Sequence, residues 1–402
     1  MVNPMPMKSL IPIFTLATAA TLSGPAQDTD APALRIKLSS PLDYQVAQRE
    51  TAAAGKLIIA GTAIPATKGG PLPDRIEVRL AGKSTVGDLP GQWEPLPFDS
   101  HVPAFRDELV VPAGGWYYFE LRALQGTNVI YSTTVDHVGV GEIFVIAGQS
   151  NSANYGEKRQ TNTTGLVSAF SGTNWQSAGD PEPGAGGTKG SFMPLFGDAM
   201  AERFHVPIGI VAMGIGSTSV REWLPAGTRL SNLPPLTRNV ITTGPGQWEP
   251  MGDIFNNFTD RMKNFGPRGF RAVLWHQGES DGHQADPTRS LPGELYRQDL
   301  ELLIRDARQT IGWDAPWFVA QASYHNPAEM SQADIRAAQK AVCDEGLANL
   351  GADTDTLTGL LREKKGQGVH LSDQGLHEHA RLWAEKVGPW LDQQLQITTA
   401  SH

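Results

Sequence analysis

Residues 143–152 read Ile-Phe-Val-Ile-Ala-Gly-Gln-Ser-Asn-Ser. Ile143, Phe144, Val145, Ile146 and Ala147 form a short, continuous apolar run, the pattern of a strand buried on both faces. Such strands belong to parallel sheets, and in those sheets the ligand crevice lies beyond the carboxyl ends of the strands. Gly148 turns the chain there, and Ser150 stands at that end. A serine hydroxyl is a poor nucleophile without a base to take its proton. Gly, Ser and Asn are also ordinary turn formers. The stretch therefore gains meaning only from what the rest of the chain brings to the same edge.

Outward from this run the chain has two textures. From Glu142 onward, apolar strand-like segments (143–147, 208–213, 272–275 and 317–320) alternate with amphipathic helices. Tyr296, Leu300, Leu303, Ala307 and Ile311 fall on one helical face, with Gly312 as the stop. Leu376, Ala380, Trp383 and Val387 fall on another, with Ser372 placed to cap it. This alternation predicts a three-layer α/β/α parallel sheet over residues 140–395. Residues 34–139 lack helical periodicity. Arg75–Leu80 alternates polar and apolar, 56–61 and 115–122 are further strands, and Gly and Pro interrupt them at short intervals. A small antiparallel β-sandwich is expected there.

Whole-chain properties narrow the function. The length, 402 residues, accommodates two domains, and the net charge of −9 argues against a nucleic-acid partner, which calls for a clustered basic surface. Lys8, an apolar core from Leu10 to Ala20, and the small residues Ser23, Gly24 and Ala26 have the layout of a secretory leader. Residues 1–26 are accordingly expected to be a signal peptide, too short to span a membrane. The mature protein would be secreted or periplasmic, with no membrane anchor. Cys343 is the single cysteine, so an intrachain disulfide and a cysteine-based zinc site are excluded. No metal or cofactor is expected. The loops 156–191 and 224–250 carry Trp175 and Trp248, candidates for stacking on a sugar ring, with loop anchoring as the competing reading.

Three later segments share the position of Ser150, at strand or helix ends. Gly214-Ile215-Gly216-Ser217-Thr218 follows the second strand, where glycines let backbone N–H groups approach a developing oxyanion. Trp275-His276-Gln277-Gly278-Glu279-Ser280-Asp281 follows the third, a polar cluster that is costly unless its groups are partnered. Gly368-Val369-His370-Leu371-Ser372 leads into the last helix.

Gly148-Gln149-Ser150-Asn151, Gly216-Ser217-Thr218, Gln277-Gly278-Glu279-Ser280 and Val369-His370-Leu371, in that order, resemble the SGNH hydrolase superfamily. The resemblance is strongest to its sialate O-acetylesterase-like and acetylxylan-esterase-like carbohydrate esterases, and it covers roughly residues 140–390. It implies a serine esterase that removes O-acetyl groups from a carbohydrate. Ser150 would be the nucleophile and His370 the base. The N–H groups of Ser150 and Gly216 (or Ser217) and the Gln277 amide would form the oxyanion hole. Asn151 would buttress the nucleophile turn or touch substrate. The superfamily usually carries an Asp three residues before the histidine; here that residue is Gln367. Three readings compete. Glu279 supplies the acid, as is thought for some relatives; a Ser–His dyad works without one; or activity is lost and the scaffold only binds carbohydrate. Glu279 is preferred because it brings a carboxylate to the correct sheet edge. Asp373 is a weaker candidate. An SGNH lipase or thioesterase is the alternative enzyme.

Overall fold

The computed structural model of the protein describes residues 34–282 and 284–400. The expected leader, residues 1–26, lies outside them.

The N-terminal part is built from β1 (Leu34–Ser40), β2 (Gln45–Gln48), β3 (Ala54–Pro65), β4 (Arg75–Ser84), β5 (Gly87–Pro90), β6 (Glu94–Leu96), β7 (Ala104–Pro112) and β8 (Gly114–Gln125). β1, β3 and β7 form one antiparallel sheet, while β4 pairs antiparallel with β5, β6 and β8 in another. Residues alternate in and out along β3, where Leu57 and Ile59 are buried and Lys56 is exposed. The buried set packs with Ile76 and Val78 of β4 and Phe119 and Leu121 of β8 in one core.

β9 (Asn128–Gly148) runs 21 residues and serves both parts of the molecule. Its first half pairs antiparallel with β8. Its last residues pair parallel with β12 (Ile208–Ala212) on one side and β15 (Ala272–His276) on the other. The expected division between residues 139 and 140 therefore falls inside a strand rather than in a linker.

The chain after β9 runs β10 (Val167–Phe170), β11 (Trp175–Ser177), α1 (Met193–Phe204), β12, β13 (Val240–Gly244), β14 (Gln247–Pro250), α2 (Asp253–Lys263), β15, α3 (Gly293–Ile311), β16 (Trp317–Gln321), α4 (Ala333–Asp344), β17 (Asn349–Asp353), the single turn α5 (Glu363–Gly366) and α6 (Asp373–Ala400). The sheet order is β11-β10-β12-β9-β15-β16-β17, parallel except at β11. The result is a mixed α/β fold around a large sheet. Val145, Ala147, Val273, Trp275 and Val319 pack with α2, α3 and α4. Phe144, Ile146, Ala272, Leu274 and Ala320 pack with α1 and α6. Full burial of such side chains contributes roughly 1.5–3 kcal/mol each, so the strand ends are held from both faces. β9 is the switch point, with later strands added on both of its sides, and a crevice is expected at its carboxyl end. Ser150 follows that end directly. Among the described residues, no helix is long and apolar enough to cross a membrane.

Candidate active site

The strand ends converge as the sequence reading requires. Gly148 closes β9 with φ 125°, a conformation suited to glycine. Ser150 opens a one-turn helix, Ser150–Ser152, tied by the Ser152 N–H to Gln149 O at 2.9 Å. The Ser150 hydroxyl is almost buried and has no hydrogen-bond partner among the described residues. Gln149 turns its side chain toward the loop after β15, where its carbonyl oxygen accepts from Gln277 Nε2 at 3.1 Å and Ser280 N at 3.0 Å. The neighbour on the other side, Asn151, donates from Nδ2 to Glu279 Oε1 at 2.8 Å and reaches Val369 O at 3.4 Å. That second contact joins the serine turn to the residue preceding His370.

His370 is oriented by a carboxylate, but not by Glu279. Its Nδ1 lies 2.9 Å from Glu363 Oε1. Glu363 stands seven residues upstream in the same loop. The loop closes on itself as a short antiparallel bridge between Arg362 and Leu371, with Glu363 N donating to His370 O at 2.9 Å. Arg362, fully buried, anchors it by donating to Val369 O at 2.8 Å and Thr354 O at 2.7 Å and by lying 3.8 Å from the Tyr324 ring centre. Gly368 is needed for close approach, since a Cβ there would stand 2.2 Å from Glu363 Cγ. Burial holds the His370 imidazole below its ordinary value, and the Glu363 carboxylate opposes that shift. The ring is thus neutral near pH 7, the state a general base requires.

Glu279 has another partner. Buried desolvation works against its charge, yet hydrogen bonding and attraction from His276 hold its carboxyl below the usual value. His276 Nε2 lies 3.4 Å from Glu279 Oε1, and His276 Nδ1 lies 3.0 Å from His379 Nε2. Trp383 Nε1, which can only donate, also points at His379 Nε2, at 3.0 Å. His379 Nε2 is therefore the acceptor, and His276 Nδ1 carries the hydrogen toward it. Glu279 ends a buried chain and faces Asn151, rather than orienting His370.

Gln277 is likewise reassigned. Its NH₂ group donates to Asp281 Oδ2 at 2.6 Å, Thr218 O at 3.1 Å and Gln149 Oε1 at 3.1 Å, all inside the core. All three partners are acceptors, which fixes the amide orientation and leaves no N–H for an oxyanion. What Gln277 does is hold the segment after β12. Four carbonyls of that segment are occupied by other donors. Gly214 O accepts from Gly186 N at 2.8 Å, Ile215 O from Thr218 Oγ1 at 2.8 Å, Gly216 O from Arg238 Nη2 at 2.8 Å, and Thr218 O from Gln277. Among the described residues the N–H groups of Ser150 and Gly216 meet no acceptor. Ser217 sits at φ 62°, a strained backbone for a non-glycine residue. Arg221 and Glu222 are both buried and do not pair with each other. Arg221 meets Asp281 at 3.2 Å, and Glu222 closes a capping box with Ser219 and accepts from Asn239 at 2.7 Å.

The two tryptophans differ in exposure, and only Trp175 is withdrawn from a sugar-stacking role. Trp175 is buried, 5.0 Å from Phe170 and 6.1 Å from Phe265 between ring centres. Trp248 is half-buried, pairs across the β13–β14 hairpin with Thr242 and packs against the core. Asp373 accepts from Lys158 at 2.9 Å and Gln160 at 2.8 Å, away from the imidazole. Sequence reasoning missed Glu363, Arg238 and Tyr155, the last of which stacks on His370 at 5.4 Å. A search for carboxylates throughout the loop that carries the histidine, rather than at one fixed spacing, would have found Glu363.

Among curated protein sequences, none matches the chain. Among solved structures, a carbohydrate acetylesterase from Xanthomonas citri superposes with a TM-score of 0.53 at 16% identity, covering 87% of this chain and 74% of that one. A protein from Arabidopsis thaliana gives 0.43 at 18% identity over 61% of this chain and 96% of that chain. A family two carbohydrate esterase from Clostridium thermocellum, in complex with cellohexaose, gives 0.35 at 10% identity over 90% and 99%. The family described as carbohydrate esterase, sialic acid-specific acetylesterase, matches residues 140–388. The match takes in Ser150, the Gly216 segment, the Glu363–His370 loop and the whole sheet edge between them, and the chain belongs to this carbohydrate esterase family and, with it, to the carboxylic ester hydrolases.

Proposed function

We propose that the protein removes O-acetyl groups from a carbohydrate through an acyl-enzyme on Ser150, with His370 as base and Glu363 as the acid that orients it. The observation that carries this reading is the 2.9 Å contact between His370 Nδ1 and Glu363, in a loop tied to the serine turn through Asn151. Ser150 Oγ attacks the acetyl carbonyl while His370 Nε2 takes its proton. Glu363 keeps the hydrogen on Nδ1 and stabilises the imidazolium as it forms. The oxyanion is held by the N–H groups of Ser150 and Gly216. His370 then protonates the departing sugar alkoxide, and water, activated by the same ring, releases acetate from Ser150.

The corresponding fold reading is a three-layer α/β/α, SGNH-type unit over 140–395, preceded by a β-sandwich over 34–139. The leader read in residues 1–26 goes with a secreted or periplasmic site of action. Purified protein should release acetate from an aryl acetate and from acetylated polysaccharides, and prefer acetyl over longer acyl groups. Ser150→Ala should lose activity by at least about 10⁴-fold, the scale seen for a removed serine nucleophile. Undiminished turnover in Ser150→Ala rules out the mechanism, and a preference for long acyl chains rules out the acetyl assignment.

A further inference from the structure

Tyr155 is the side chain that the packing sets against both halves of the reaction centre. Its ring stacks on His370 with centres 5.4 Å apart and planes 25° from parallel. Its other end lies against Gly216, where a Cβ would stand 2.5 Å from the phenol oxygen and 2.6 Å from Cζ. Gly216 is thus a glycine because the phenol fills the side-chain space beside its N–H. Tyr155 is half-buried, and its hydroxyl has no hydrogen-bond partner among the described residues. The phenol O–H is therefore open to solvent and free to donate to a bound group. The one side-chain donor expected to complete the oxyanion hole, Gln277, is committed elsewhere, and so is the amide next to the nucleophile. Gln277 is bound to three acceptors, and the Asn151 amide to Glu279 and Val369 O.

We infer that the Tyr155 hydroxyl is the third oxyanion donor, a catalytic residue acting beside the N–H groups of Ser150 and Gly216. This rests on the acyl-enzyme reading given above. As the Ser150–carbonyl bond forms, the carbonyl oxygen gains the electron pair of its π bond, and the phenol O–H, which keeps its proton, donates to it. When the intermediate collapses, the pair returns to the carbonyl and the hydrogen bond relaxes. The interaction is made in the transition state and barely in the ground state, so it acts on kcat rather than on KM.

The test compares wild type, Tyr155→Phe and Tyr155→Ala on 4-nitrophenyl acetate, with thermal unfolding as the control for folding. Tyr155→Phe keeps the ring on His370 and removes only the donor. The expected result is kcat lower by about 10²-fold, the usual effect of deleting one oxyanion donor, with KM and unfolding temperature unchanged. A boronic acid, whose tetrahedral adduct on Ser150 presents the same anionic oxygen, should lose affinity by a similar factor. Wild-type kcat in Tyr155→Phe, with loss confined to Tyr155→Ala, would overturn the inference, because the ring alone would then matter. An active wild type with an unaffected Tyr155→Phe removes this inference and leaves the esterase reading standing. An inactive wild type removes both.

Discussion

Two segments each bring a glutamate and a histidine to the same sheet edge, one at the end of β15 and one leading into α6. In the first, His276 and Glu279 are 3.4 Å apart with side chains 1% and 3% exposed. In the second, His370 and Glu363 are 2.9 Å apart with 20% and 6% exposed. Both nitrogens of His276 are occupied, one by His379 and the other facing Glu279 and Thr354. In His370 only Nδ1 is taken, and Nε2 has no partner among the described residues. A pair closed on both sides can brace a loop but cannot move a proton to a substrate. A pair with one nitrogen open can. On the proposed mechanism, the carboxylate that serves the reaction is the one whose histidine keeps a nitrogen free, and not the one in the better-known motif.

The comparison can be broken most readily at Glu363. Glu363→Gln keeps the shape and removes the charge that stabilises the imidazolium, so kcat should fall by about 10³–10⁴-fold with folding retained. The acid side of the kcat/KM profile supplies a second readout. Burial already puts His370 below the ordinary 6.5, with Glu363 pulling upward. Removing that carboxylate leaves the neutral ring less opposed, so the residual activity should hold to lower pH than in wild type. An acid limb that moves up instead would contradict this assignment.

A smaller effect is expected in the closed pair. Glu279→Gln still accepts from Asn151 but no longer carries charge toward His276, so kcat should drop by roughly tenfold or less. Its unfolding temperature should fall more than that of Glu363→Gln, since Glu279 is the more deeply buried of the two and its contact with His276 is weakened. The mildest test lies at the edge of the site. Arg238, exposed, reaches Gly216 O from the loop before β13. Arg238→Gln should lower kcat a fewfold with little change in stability, and Arg238→Lys should restore part of it. A change in KM alone would mean that Arg238 meets substrate instead of positioning the oxyanion segment.

Much of this was legible in the sequence, for a physical reason. Ser150, Gly216 and His370 lie in short motifs next to strong periodic signals, and the alternation of apolar strands with helices from Glu142 onward forces the strand ends to one edge. Other features depend on pairings that no local pattern records. Glu363 reaches His370 only because residues 362 and 371 bridge and fold seven residues back on themselves. Gln277 has the right chemistry for an oxyanion donor, but Asp281, buried beneath it, captures its amide. Trp175 lies in a segment rich in Gly, Thr and Asn that nevertheless forms β10 and β11 and turns the indole into the core. The division at 139/140 was drawn where the composition changes, whereas β9 crosses it as one strand.

The most direct measurement is chemical rescue of the missing carboxylate. Glu363→Ala and Glu279→Ala are assayed on an aryl acetate with increasing formate at constant ionic strength and pH. Turnover by Glu363→Ala should rise with formate and saturate, as the small carboxylate takes the place beside His370 Nδ1, while Glu279→Ala should not respond. Rescue of Glu279→Ala with none in Glu363→Ala would contradict the assignment and return the acid to the loop after β15.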